Sequence, residues 1–230
     1  MKKIALIISL VAVFALTANA QKGKYAYGLK LGPNLNWVTT TSDKGQNDGT
    51  RMGFGFGFFV DRLYTQHVAL SSGLSYNVYG LKYQFTDYRL VNDFLEPAYI
   101  DVNRKFKGSF LEVPLKVKVK FDVMDSWKAF AEGGAALGIN LTAKAKDNYN
   151  YYGLTHADDD FLDASDQYRR FQLALRFGLG AEYEITSKLS VFAQLCYGHG
   201  LTNVFTRTME RQTGSNLKTN YIGLEIGVIH

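Results

Sequence analysis

Cysteine occurs once in 230 residues, as Cys196, so no internal disulfide can form and the chain is not a disulfide-held scaffold. Glycine has no three-residue period, which excludes a collagen-like fibre. After the first twenty residues no stretch of about 18 consecutive apolar residues occurs, so no transmembrane helix is expected. Neither sign of charge dominates. The formal net charge of +5, about +3 without Lys2 and Lys3, is too small to argue for a nucleic-acid partner. No G-x-S-x-G, H-E-x-x-H or metal-spaced His/Cys pair is found. What the chain has is 22 glycines, 15 tyrosines and 16 phenylalanines, and this aromatic content excludes a disordered polymer. The mean hydropathy is nevertheless only −0.13.

Met1 to Ala20 reads as a secretory leader. Lys2 and Lys3 precede an apolar run from Ile4 to Leu16, and Ala18-Asn19-Ala20 supplies small residues at −3 and −1 of a cleavage site. The run is too short to cross a bilayer, and no cysteine follows it to mark a lipoprotein. The expected division is residues 1–20 as a cleaved leader and 21–230 as one exported domain.

That domain alternates with a period of two. In Tyr25 to Trp37 the odd positions (Tyr25, Tyr27, Leu29, Leu31, Pro33, Leu35, Trp37) are apolar and the even ones (Ala26, Gly28, Lys30, Gly32, Asn34, Asn36) small or polar. Seven more such strands are read at Met52 to Val60, Val68 to Val78, Leu111 to Phe121, residues 129–141, Phe171 to Tyr183, Val191 to Leu201 and Tyr221 to Val228. The polar face is rich in Gly, Ala and Ser with a few charges, which suits a cramped interior. The opposite face is long, apolar and uncharged, which suits lipid. Tyr25, Trp37, Trp127, Tyr183 and Tyr197, near strand ends, suit interfacial girdles. Only a closed barrel satisfies every strand's backbone in hydrocarbon. Connections after strands two, four and six are short. Those after one, three, five and seven are long: Val38 to Arg51, about Lys82 to Lys105, Lys144 to Tyr168 and Phe205 to Leu217. The expected fold is therefore all-β, an eight-stranded antiparallel transmembrane β-barrel with short periplasmic turns and long extracellular loops. Bacterial outer-membrane lipid is its surroundings.

An eight-stranded barrel is only wide enough for side chains to fill. The inward positions carry Lys30, Lys116, Lys118, Lys120, Arg170 and Arg176 against Glu112, Glu132, Glu182, Glu184 and Glu225. These near-balanced charges are expected to pair, since an unpaired buried charge is costly. A narrow ion path is the alternative to such a plug. Gly53, Gly55, Gly57, Gly178 and Gly180 make room for the long side chains opposite. Gly53 to Gly57 is not a phosphate loop, because it lies within a strand and no helix follows.

No cofactor and no catalytic residue is expected. A rim enzyme using His199 is the weakest reading, with His67, His156 and His230 scattered over a turn, a loop and the terminus. The third long loop carries Asp158, Asp159, Asp160 and Asp163, a weak candidate for calcium because the spacing is not that of an EF-hand. Tyr149, Tyr151 and Tyr152 there, with Phe94 and Tyr99 in the second loop, are candidate partner contacts, exposed aromatics being favoured for that role. The second loop is unusually apolar and is expected either to extend its hairpin beyond the membrane or to bind a partner chain.

Four segments carry a family resemblance: YGLKLGPNLNW (Tyr27 to Trp37), FLEVPLKVKVKF (Phe110 to Phe121), FAEGGAALGINL (Phe130 to Leu141) and FGLGAEYEITSKLSVFAQLCYGHGLTNV (Phe177 to Val204). The chain resembles the PorT-like small outer-membrane β-barrel proteins of Bacteroidota. That resemblance implies an eight-stranded barrel with no catalytic residues to transfer, and a family whose name-giving member is implicated in type IX secretion; the barrel is expected to be a monomer. One departure is the ending Val228-Ile229-His230, where many barrels end in Phe. The expected function is a non-enzymatic barrel with a filled lumen, acting through its loops on an envelope or secretion protein. A narrow porin is the alternative.

Overall fold

A computed structural model describes residues 25–40, 45–90, 97–151, 154–214 and 216–230. The expected leader, Met1 to Ala20, lies outside the described residues. The elements are β1 (Tyr25–Thr40), β2 (Gly45–Asn47), β3 (Arg51–Leu63), β4 (Val68–Leu90), β5 (Pro97–Met124), β6 (Trp127–Tyr151), β7 (Leu154–Ala157), β8 (Leu162–Asp163), β9 (Phe171–Thr186), β10 (Leu189–Gly200), α1 (Arg207–Thr213) and β11 (Leu217–Ile229). The short β2, β7 and β8 decorate β4 and β6. The other eight strands each pair antiparallel with two neighbours, and β11 returns to β1, so the sheet closes on itself. At the seam Leu29 faces Val228 and Leu35 faces Ile222. Tyr27 and His230 exchange two backbone hydrogen bonds of 2.8 and 2.7 Å, so both ends of the described chain lie at one end of the barrel. The short β3–β4, β5–β6 and β9–β10 turns share that end, the periplasmic one by the usual barrel asymmetry.

The alternation decides which side chains meet lipid. Leu29, Leu31, Phe54, Phe56, Leu115, Val117, Leu137, Phe177, Leu179, Leu224 and Ile226 all stand exposed on the outer face. Two aromatic pairs mark its edges: Trp127 with Tyr183 (centroids 4.9 Å apart) near the short turns, and Trp37 with Tyr197 (6.4 Å) towards the other end. Inward glycines provide space, as expected. A Cβ on Gly178 would come within 2.8 Å of Glu132 Cγ, and one on Gly180 within 2.5 Å of Phe130 Cζ.

The long connection between strands three and four is not a loop over most of its length. β4 and β5 keep one register from Val68–Val119 to Leu90–Pro97, with a gap opposite Val113 and Pro114, and β6 accompanies β5 as far as Val102–Tyr149. Along β5 the outward residues from Leu111 to Phe121 are Leu, Val, Leu, Val, Val and Phe, whereas from Asp101 to Ser109 they are Asp, Asn, Lys, Lys and Ser. The inward residues reverse in the opposite sense. Ile100, Val102, Phe106 and Phe110 are fully buried above Glu112, Lys116, Lys118 and Lys120. The strand therefore leaves hydrocarbon near Phe110. Beyond it the wall obeys the rule for water-soluble sheets, apolar inside and polar outside. A register shift accompanies the change: Ser109 faces Thr142 and Phe110 faces Asn140, so Leu141 is the extra residue of a β-bulge.

Candidate functional site

Three layers of side chains fill the barrel. In the middle one Lys30 Nζ lies 2.9 and 3.1 Å from the two oxygens of Glu225, which also accepts from the Gln194 amide. Lys116 pairs with Glu132. Arg176 reaches from β9 past β6 to β5, where its Nη2 donates to both oxygens of Glu112 at 2.7 and 2.9 Å. The Tyr79 hydroxyl donates to Glu112 Oε1 at 2.7 Å, and the Arg176 guanidinium lies 4.8 Å from the Tyr221 ring centre. A cavity of about 20 Å³ lies among these groups, room for roughly one water molecule.

The layer towards the short turns is an aromatic box. Lys118 Nζ lies 4.3 Å from the Phe130 ring and 5.7 Å from those of Phe59 and Phe192, with Asp61 Oδ2 at 3.2 Å. A cation over ring faces recovers part of its lost hydration, and a buried carboxylate supplies the opposite charge. Lys120 pairs with Glu182 beside it at 2.8 Å.

The third layer fills the part of the barrel that rises above the apolar band. Tyr83, Phe85, Phe106, Phe205, Leu81, Leu217, Val38 and Val102 are fully buried there, beneath α1 with its Met209. Arg104 makes a two-pronged contact with Asp147 (2.5 and 2.6 Å) and lies 4.9 Å from the Phe85 ring. The Tyr83 and Tyr168 hydroxyls bond to each other. Burial pushes both phenols above their ordinary value, against the opposing pull of Arg104.

Nine of the eleven expected lumen charges thus lie inside. Two do not. Arg170 is exposed and precedes β9, because the inward alternation of that strand starts only at Gln172. Glu184 sits at the rim, where it pairs with Lys128 and stays over a third exposed, because β9 is close to its turn. Missed by sequence reasoning were Asp61, Tyr79, Tyr221, Gln194 and the three phenylalanines of the box. Asp61 and Tyr79 each lie one residue beyond the expected strand end, so extending the alternation by one residue finds them.

Among the loop candidates, Tyr149 packs partly buried against the upper core, whereas Tyr99 is 78% exposed. Tyr151 ends β6; Phe94 and Tyr152 lie outside the described residues. Asp158, Asp159, Asp160 and Asp163 do not gather: among the described residues no three acidic, His or Cys groups come together. Asp158 accepts from the Asp147 amide, and Ser165 holds the Asp163 carboxyl below its usual range through hydrogen bonds to its side chain. His199 Nδ1 lies 2.6 Å from Asn220 Oδ1, and Asn220 donates to Thr39 Oγ1 at 2.7 Å, so its partner is an amide rather than a serine.

No curated protein sequence matches the chain. Among solved structures it is similar to neisserial surface protein A (12% identity, 88% of this chain and 97% of that one, TM-score 0.40). It is also similar to the attachment invasion locus protein of Yersinia pestis (12%, 90% and 99%, 0.38) and to the outer membrane protein OprG from Pseudomonas aeruginosa (9%, 90% and 95%, 0.39). A family model, outer membrane protein beta-barrel domain, matches residues 19–206. With a closed eight-stranded ring, an apolar outer face and a charged interior, the chain belongs to the outer membrane protein beta-barrel domain family.

Proposed function

We propose that this outer-membrane barrel is a non-enzymatic, non-conducting protein that works through the sheet it raises above the membrane. The observation that carries the reading is the filling of the lumen at three successive levels, with space for about one water among the central charges. A path for solutes would need those pairs to part, and each buried charge left alone is costly. The material above the apolar band, by contrast, has its own hydrophobic core and a paired Arg104–Asp147 clasp, which gives a rigid platform at low ordering cost. Its partner is an envelope or secretion protein of the kind the PorT-like resemblance implies, with the exposed Tyr99 as the contact.

The test is a capture experiment from outer membranes. A chain in which Lys82 to Lys105 is replaced by a tight turn should keep heat-modifiable gel migration, which reports an intact barrel, and lose its captured partner. Retained capture would sink the reading. The full chain in a planar bilayer should stay silent; steady conductance altered by Lys116→Ala or Glu132→Ala would favour the narrow porin instead.

A further inference from the structure

The outer face of the raised sheet carries a lysine ladder that the partner-binding role does not use. Lys82 on β4 faces Lys105 on β5, Lys105 in turn faces Lys146 on β6, and one row nearer the membrane Lys107 faces Lys144. Neighbouring strands lie about 4.8 Å apart and alternate residues about 7 Å, so five ammonium groups share a patch roughly 10 Å by 7 Å at its base. Like charges directly opposite each other in a sheet are destabilising.

The contrast with the lumen is informative. Inside, Lys30, Lys116 and Lys120 each meet a carboxylate. Outside, Lys82 meets Asp48 at 2.9 Å and Lys146 donates to a backbone carbonyl, of Asp159. Among the described residues Lys105, Lys107 and Lys144 have no ion pair. Asp163, opposite Lys144 in register, is hydrogen-bonded to Ser165 and feels Lys144 only through space, without a direct ion pair.

Height identifies what would neutralise them. Along β5 the last apolar outward residue is Leu111, and Lys107 is four residues above it; along β6 Lys144 is three above Leu141. At about 3.3 Å per residue and a tilt near 45°, the lower row lies roughly 7–9 Å above the hydrocarbon edge. That is the depth of the headgroup layer, which adds about 5–8 Å on each side of the core, and a lysine stem can snorkel a few ångströms to meet it.

We propose that the patch formed by Lys82, Lys105, Lys107, Lys144 and Lys146 binds the phosphate groups of a phosphorylated lipid headgroup in the outer leaflet. A lower row of cations near headgroup depth with a second row about 5 Å above it suits a headgroup with more than one phosphate. The bound anion removes the like-charge repulsion that the ladder builds into the sheet.

The test uses the full chain folded in zwitterionic micelles and titrated calorimetrically with three probes: diphosphoryl lipid A, the same lipid with its phosphates removed, and inorganic phosphate. Diphosphoryl lipid A should bind saturably and the other two should not. Each lysine near an anionic surface contributes about fivefold, so the triple variant Lys105→Gln/Lys107→Gln/Lys144→Gln should bind on the order of a hundredfold more weakly. The corresponding triple arginine variant should retain binding, and both should migrate on gels as folded barrels. Equal binding of the dephosphorylated lipid, equal binding by the glutamine variant, or saturation by inorganic phosphate alone would each overturn the proposal. So would binding of none of the three, which leaves an acidic protein surface as the occupant.

Discussion

Arg176 and Glu112 join two strands that are not neighbours, their side chains meeting across the lumen at 2.7 and 2.9 Å while β6 passes between β9 and β5. This contact ties two strands a quarter of the ring apart directly, and the Tyr79 hydroxyl and Tyr221 ring complete its surroundings.

Glu112→Ala leaves a guanidinium buried without its carboxylate, and Arg176→Ala leaves the reverse. Removing one partner of a buried pair costs about 3–5 kcal/mol. Each single variant should lower the unfolding free energy of the barrel, measured by urea titration in micelles, by that amount, whereas Glu112→Leu/Arg176→Met together should lie close to the parent. Additive losses in the double variant would mean that the two groups do not act as a pair.

Lys118 holds Asp61 at 3.2 Å inside a box of three phenylalanines. Lys118→Met should be strongly destabilising because it strands the Asp61 carboxylate, and Asp61→Asn in the same chain should restore most of the loss. The coupling from this double-mutant cycle is expected to reach about 2 kcal/mol, a typical value for groups in contact. A coupling near zero would mean that the rings alone carry the cation.

Alkaline pH separates the upper core from the surface. Burial raises Tyr83 and Tyr168 above the ordinary phenol value of 10.0, so the folded state keeps protons that the unfolded chain releases. Stability is therefore unaffected by these groups below pH 10 and falls as pH rises beyond it, since the native state then binds more protons. Tyrosinate absorbance should show a late-ionising class that loses two members in Tyr83→Phe/Tyr168→Phe. Ionisation of all phenols near pH 10 in the folded barrel would contradict the burial.

The eight barrel strands were readable because a barrel in lipid imposes one rule on every strand, and Leu29/Lys30 or Val117/Lys118 obey it residue by residue. Charge balance was readable for the same reason: inward parity alone puts Lys116 and Glu132 in the lumen. Arg170 and Glu184 were misplaced because parity counts faces but not height, and both stand where the strand meets its connection. The upper sheet was legible only as an oddly apolar loop. Past Phe110 the apolar face turns inward, and at Leu141 the bulge shifts the parity of β6, so a single alternating template cannot follow the strand.

Sequence by itself determined the period of two, the lipid-facing band and which ions point inward, since these follow from the alternation of Cβ directions along an extended chain. Only the tertiary structure decided which cation meets which anion and that lysines from three strands share one outer patch. Those depend on the register between strands far apart in the chain, and register is fixed by closure of the ring rather than by any one strand's pattern.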